Sequence, residues 1–130
     1  MLGQARMNRN GLHGRRILVV EDNALLAITI EDMLKEAGAE VVGPAVTLDE
    51  AERCAAEESL SAALLDIRLE DEEVWPVARL LAKRGIPFVF STGHYTSSTL
   101  PAEWTGRPIL TKPVRPQKII AALSEVLSRR

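Results

Sequence analysis

One cysteine, Cys54, stands in 130 residues, which excludes an internal disulfide and any cysteine metal cluster. Its place among alanines in a helical stretch reads as a small buried filler, not a reactive thiol. Long apolar runs are also lacking: none approaches the ~20 residues that a bilayer-crossing helix needs. The N-terminus has no apolar core of a signal peptide, so a cytoplasmic protein is expected, with no membrane partner. Excess charge of one sign is missing too. Sixteen Lys and Arg against 18 Asp and Glu leave a formal charge of −2, which gives no electrostatic reason to expect nucleic-acid binding. The length suits one ordinary domain and leaves no room for a second, such as a DNA-binding domain.

Residues 1–14 carry Gly, Asn, Gln, Arg and His with little apolar periodicity, and read as a disordered basic arm. From residue 15 to residue 130 strand and helix patterns alternate, as stacked βαβ units do. Leu26, Ile30, Met33, Leu34 and Ala37 share one face of a helix over residues 23–37, and Gly38 suits the position after its end. Val41-Val42 form a short second strand. Thr47-Leu48-Asp49-Glu50 is a capping box, with Glu50 bonding back to the backbone at Thr47, for a helix reaching about residue 58. A third helix begins near Glu73, tolerates Pro76 in its first turn and ends before Gly85. The last opens at Pro116, carries Ile119, Ile120, Leu123, Val126 and Leu127 at helical spacing, and ends on Arg129-Arg130. Between Thr96 and Pro101 four consecutive hydroxyl residues predict a fourth helix that is short, poorly capped or mobile.

The chemistry lies at the ends of the apolar runs. Ile17-Leu18-Val19-Val20 leads into Glu21-Asp22, and Ala62-Ala63-Leu64-Leu65 into Asp66. Phe88-Val89-Phe90 leads into Ser91-Thr92, and Ile109-Leu110 into Thr111-Lys112-Pro113. Continuous apolar runs are the mark of strands buried on both faces of a parallel sheet, and ligands bind beyond the carboxyl ends of such strands. Three carboxylates, a hydroxyl and an ammonium would then converge. Mg²⁺ takes one or two carboxylates plus waters and phosphate oxygens. Asp22 and Asp66 would bind it directly, and Glu21 through a water. Asp66 would be the nucleophile that forms an aspartyl phosphate, with Lys112 and Thr92 on the phosphoryl oxygens. A cis Lys112–Pro113 bond would hold the ammonium inward.

Ile17 to Asn23, Leu64-Leu65-Asp66-Ile67, Phe88 to Thr92 and Lys112-Pro113 together resemble the receiver domain of bacterial two-component response regulators. The resemblance implies an α/β, flavodoxin-like, doubly wound (βα)5 fold with a five-stranded parallel sheet of order 2-1-3-4-5. It implies that Asp66 accepts phosphate from a sensor histidine kinase or a phosphotransfer protein. The backbone carbonyl of Arg68 would complete the Mg²⁺ ligands, and Thr92, with Gly93 beside it, would be the switch hydroxyl.

Two departures narrow the resemblance. The position three residues before the lysine, an aromatic in many receivers, is Ile109. The loop after Asp66 lacks the usual Pro and Gly. With Phe90-Ser91-Thr92-Gly93-His94-Tyr95, this is similar to the alphaproteobacterial single-domain receivers that carry a Phe-Ala-Thr-Gly-type motif. Arg68 and His94, two residues beyond Asp66 and Thr92, would tune hydrolysis of the phosphoryl group. Trp75 and Trp104 read as packing or rim residues. The expected protein is a stand-alone receiver, a monomer or a phosphorylation-linked homodimer, acting on a downstream protein target or within a phosphorelay.

Two alternatives use the same residues. A Mg²⁺-dependent phosphatase of the haloacid-dehalogenase type needs a second acid two residues after its nucleophile, where this chain has Arg68. A pseudo-receiver would bind partners without phosphorylation, against which the intact acids, Thr92 and Lys112 argue.

Overall fold

In the first apolar run alternate side chains part company: Ile17 and Val19 enter one hydrophobic cluster, Leu18 and Val20 another. That split follows from the two-residue period of a strand, and it fixes the architecture, since both faces must then be covered. The computed structural model describes residues 11–129. Strands β1 (Arg16–Val20), β2 (Glu40–Ala45) and β3 (Ala62–Asp66) are followed by a minor hairpin, β4 (Arg68–Leu69) and β5 (Glu72–Glu73). Strands β6 (Phe88–Thr92) and β7 (Ile109–Thr111) complete the set. The main sheet runs β2-β1-β3-β6-β7, every pair parallel. Counting the main-sheet strands alone, this is the expected order 2-1-3-4-5. Strands β3 and β6 are buried at every residue, as interior positions require.

Helices α1 (Ala24–Glu36) and α4 (Pro116–Ser128) cover one face, α2 (Leu48–Glu57) and α3 (Trp75–Lys83) the other. Ile30 and Leu34 of α1 meet Ile119 and Leu123 of α4 over Ile17, Val19 and Leu64. On the far side Ala51, Ala55, Val77 and Leu81 pack on Leu18, Leu65 and Phe90. Local signals set the helix ends. Asn23 Oδ1 accepts the Leu26 N–H at 2.9 Å, and Thr47 Oγ1 accepts that of Glu50 at 3.2 Å. Glu50 reaches back one residue further than expected, accepting the Val46 N–H at 2.9 Å. Gly38, just past α1, has φ +89°, and a Cβ there would lie 2.7 Å from His13 Nδ1.

Three expectations change. Of the proposed arm, residues 1–10 lie outside the described residues, but the exposed stretch 11–14 is held against the domain at Leu12. Leu12 is fully buried among Ile17, Leu34 and Leu123, and Gly14 donates to the Gly38 carbonyl at 2.8 Å. One apolar residue in a polar stretch carried too little periodicity to be seen. The fourth crossover holds no α-helix, so among the described residues four α-helices cover the sheet. In its place Thr96–Leu100 forms a turn, in which Thr99 Oγ1 accepts the Thr96 N–H at 2.7 Å, and a 3₁₀ turn follows at Ala102–Trp104. Hydroxyl side chains compete for the backbone amides a helix would need. The segment after Asp66, read as a loop, is the antiparallel β4–β5 hairpin, with Arg68 opposite Glu73. Helix α3 therefore starts at Trp75 instead of Glu73.

Cys54 is half-buried on α2, where burial raises its thiol pKa. Among the described residues no helix is long and apolar enough to cross a membrane.

Candidate functional site

Parallel pairing brings four strand ends to one edge. Val20 is level with Leu65, Asp66 with Ser91, and Thr92 with Thr111. The residues that follow β1 and β7, Glu21-Asp22 and Lys112, therefore lie at the same edge of the sheet as Asp66. Glu21 is 2% exposed and Asp66 7%. Carboxylate oxygens of Glu21, Asp22 and Asp66 lie within 4.8 Å of one another. Lys112 Nζ donates to Glu21 Oε1 at 2.9 Å and to Asp66 Oδ2 at 3.2 Å; the Lys112–Pro113 bond is cis. The second Glu21 oxygen accepts the Asn23 N–H at 3.1 Å. Asp22 Oδ2 accepts the N–H of Glu70, across from it on the hairpin tip, at 2.8 Å.

These groups line a cleft of about 490 Å³, with Arg68, Glu70, Gly93 and His94 on its rim. Burial, and then the neighbouring Glu21 carboxylate, push the Asp66 pKa up to about 7, against the pull of Lys112. For Lys112, burial favours the neutral amine, but its bonds to Glu21 and the charge of Asp66 outweigh this and raise its pKa. Three acids facing one ammonium leave the cleft negative. An all-oxygen donor set of this spacing fits a hard divalent cation.

Thr92 ends β6 next to the site but turns away from its cleft. The residue is 1% exposed, and its hydroxyl accepts the N–H groups of His94 at 3.0 Å and Tyr95 at 3.3 Å. Its carbonyl accepts the Lys112 N–H at 2.8 Å, so the end of β6, the Thr92 turn and the lysine share one hydrogen-bonded frame. Ile109 is half-buried against the Leu18–Phe90 side of the core, an aliphatic side chain with no ring to swing. Arg68 and His94 are exposed on the cleft rim.

Sequence reasoning missed two features. The first is the Glu70 amide on Asp22, for which the acidic run Glu70–Glu73 held no signal. The second is Glu73, whose carboxylate accepts the Tyr95 hydroxyl and, at 3.1 Å, the Trp75 indole N–H. The Trp75 ring meets Tyr95 edge-on, with centroids 5.8 Å apart, and stacks at 6.3 Å on Trp104. Both tryptophans are packing residues, as expected.

Comparison with known proteins bears on the fold and the family. Residues 17–124 match the family model of the response regulator receiver domain. The chain is 34% identical over 117 residues to the sensor protein TorS of Escherichia coli K12, covering 86% of this chain and 13% of TorS. It is 32% identical over 118 residues to the phyllosphere-induced regulator PhyR of Methylorubrum extorquens, covering 85% of this chain and 43% of PhyR. The chain thus spans less than half the length of either relative. Among solved structures it is similar to a CheY-like receiver domain protein from Methanospirillum hungatei, with TM-score 0.79 and 26% identity over 89% of this chain and 95% of that one. It is also similar to PhyR from Brucella abortus, with TM-score 0.78 and 31% identity over 98% of this chain and 54% of that one. Fold, site and sequence agree that the chain belongs to the response regulator receiver domain family.

Proposed function

We propose that Asp66 accepts a phosphoryl group from a sensor histidine kinase or phosphotransfer protein, and that the output is binding to a downstream protein or onward transfer. The observation that carries this reading is the Lys112 ammonium, which bridges Glu21 and the buried Asp66 at 2.9 and 3.2 Å beside the acidic cluster. Asp22 and Asp66 would hold Mg²⁺, with Glu21 acting through a water and the Arg68 carbonyl completing the protein ligands. Bound there, the cation supplies charge neutralisation at the phosphoryl oxygens.

The remaining chemistry belongs to the chain. An Asp66 oxygen forms the new O–P bond as the donor's P–N bond breaks, so Asp66 must be ionised, and the positive charges around it favour that form. Lys112 pairs with a phosphoryl oxygen in the product, exchanging a carboxylate partner for a phosphoryl one. Thr92 donates a hydrogen bond from its hydroxyl to another, and the turn that begins at Gly93 follows, because the amides of His94 and Tyr95 are held by that hydroxyl. Arg68 and His94 on the rim orient or obstruct the water that hydrolyses the product. The protein is a phosphoacceptor that assists its own phosphorylation and dephosphorylation in the cytoplasm, as a monomer or a phosphorylation-linked homodimer. Ile109 and the Thr92-Gly93 turn support placement with the Phe-Ala-Thr-Gly-type receivers.

Intact-mass measurement after incubation with acetyl phosphate tests the reading. Wild type with Mg²⁺ gains one phosphoryl group; Asp66→Asn, or wild type with a chelator, gains none. Sustained release of phosphate from small phosphoesters would favour the haloacid-dehalogenase alternative. No phosphorylation of the wild type under any condition would favour the pseudo-receiver.

A further inference from the structure

Glu70 has φ +56°, and among the described residues it is the one non-glycine residue with positive φ. Side chains with a Cβ seldom occupy that region, and backbone strain of this kind persists where surrounding structure over-determines it. Here the surroundings are visible. The hairpin is closed at its base by the Val74 N–H on the Ile67 carbonyl at 2.8 Å, and Glu73 is tied to Tyr95 and Trp75. With both legs anchored, the left-handed turn at the tip points the Glu70 amide across the cleft to Asp22 Oδ2, 2.8 Å away and 48 residues earlier in the chain.

We infer that Glu70 is a positioning residue for the cation site, acting through its backbone amide and not its carboxylate. This rests on the Mg²⁺ reading of the acidic cluster given above. Asp22 is half-buried, and among the described residues the hydrogen bond it accepts comes from Glu70. Without that bond its carboxylate is free to turn toward solvent, away from Glu21 and Asp66. With one oxygen held, it presents a fixed donor to the cluster. Partners that orient a metal ligand in this way commonly change affinity about 10–100-fold when removed.

The test is calorimetric titration of the full chain with Mg²⁺. Glu70→Gly keeps the amide and suits positive φ, and Glu70→Gln keeps both amide and shape without the charge, so both bind as wild type does. Glu70→Val drives the tip out of the left-handed region and weakens binding on the order of tenfold, while thermal melts without metal remain close to those of wild type. Wild-type affinity in Glu70→Val overturns the inference. So does a loss in Glu70→Gln as large as that in Glu70→Val, which would make the side chain the active part. Should Glu70→Val not fold, the amide resonance of Glu70 decides. It moves upfield in Asp22→Asn if the charge-assisted bond exists, and an unchanged resonance overturns the inference. Failure of the wild type itself to bind Mg²⁺ would sink the cation reading as well; normal wild-type binding with an indifferent Glu70→Val would sink only the positioning role.

Discussion

At Asp66 burial favours the neutral carboxyl, the Glu21 carboxylate adds to that preference, and the Lys112 ammonium opposes both. The result is a pKa of about 7, above the usual carboxylate value of about 3.9. Between those values the folded chain keeps a proton that the unfolded chain releases, so stability falls as pH rises through that window. Asp66→Asn removes the ionisation. Without Mg²⁺ it is expected to stabilise the protein more at pH 8 than at pH 5, by about 1–3 kcal/mol. Urea denaturation of both proteins at the two pH values, with chelator, measures this; an equal difference at both would mean that Asp66 ionises in the fold as it does in water. The same balance shows why the residue suits its proposed role. Its charged form is strained in the absence of positive partners and favoured in their presence.

Among the elements, the β4–β5 hairpin carries the most consequence for its size. Each of its strands has two residues, too few for any periodic pattern, and its register is set by distant partners. Glu73 joins it to the turn after Thr92 through Tyr95, so the segment after Asp66 and the segment after Thr92 are mechanically connected. Tyr95→Phe keeps the ring against Trp75 and removes one hydrogen bond. It is expected to cost about 1 kcal/mol and to change Trp75 fluorescence, because the Glu73 carboxylate that also accepts the indole N–H loses its other partner. An unchanged emission spectrum and midpoint would show that the link carries no energy. The 95–107 crossover makes the complementary point. Consecutive Thr and Ser side chains predict weak helix formation, and the structure goes further, with no α-helix there. Trp104 instead anchors the segment on Phe88, Phe90 and Trp75.

Across the whole molecule, two apolar clusters lie on opposite faces of one sheet whose central strands contribute to both. Neither face can be lost alone without exposing the other's strands, so unfolding should be a single cooperative transition. Leu81→Ala on one side and Leu123→Ala on the other are each expected to cost about 2–5 kcal/mol. Both substitutions should shift circular dichroism and tryptophan fluorescence midpoints together in urea, although Trp75 and Trp104 report from one face only. Separated midpoints in either variant would mean that the faces unfold independently.

What the chain determines by itself is the part that repeats or sits at a fixed place in a repeat. Apolar runs and helical faces specify the five strands of the main sheet and the four α-helices among the described residues. The rule that functional groups follow the carboxyl ends of parallel strands picks out Glu21, Asp22, Asp66, Thr92 and Lys112 before any coordinates. Local signals suffice because the parallel strands of one sheet end along one edge, which brings the three acids and Lys112 together and puts Thr92 next to them. Contacts between segments that have no period were decided only in three dimensions: Leu12 filling the floor of the core, Thr92 turned onto the amides of His94 and Tyr95, Glu73 on Tyr95, and the Glu70 amide on Asp22. Each depends on where a short irregular stretch lands once the sheet has formed, and a backbone amide can donate from any residue type, so no choice of side chain announces it.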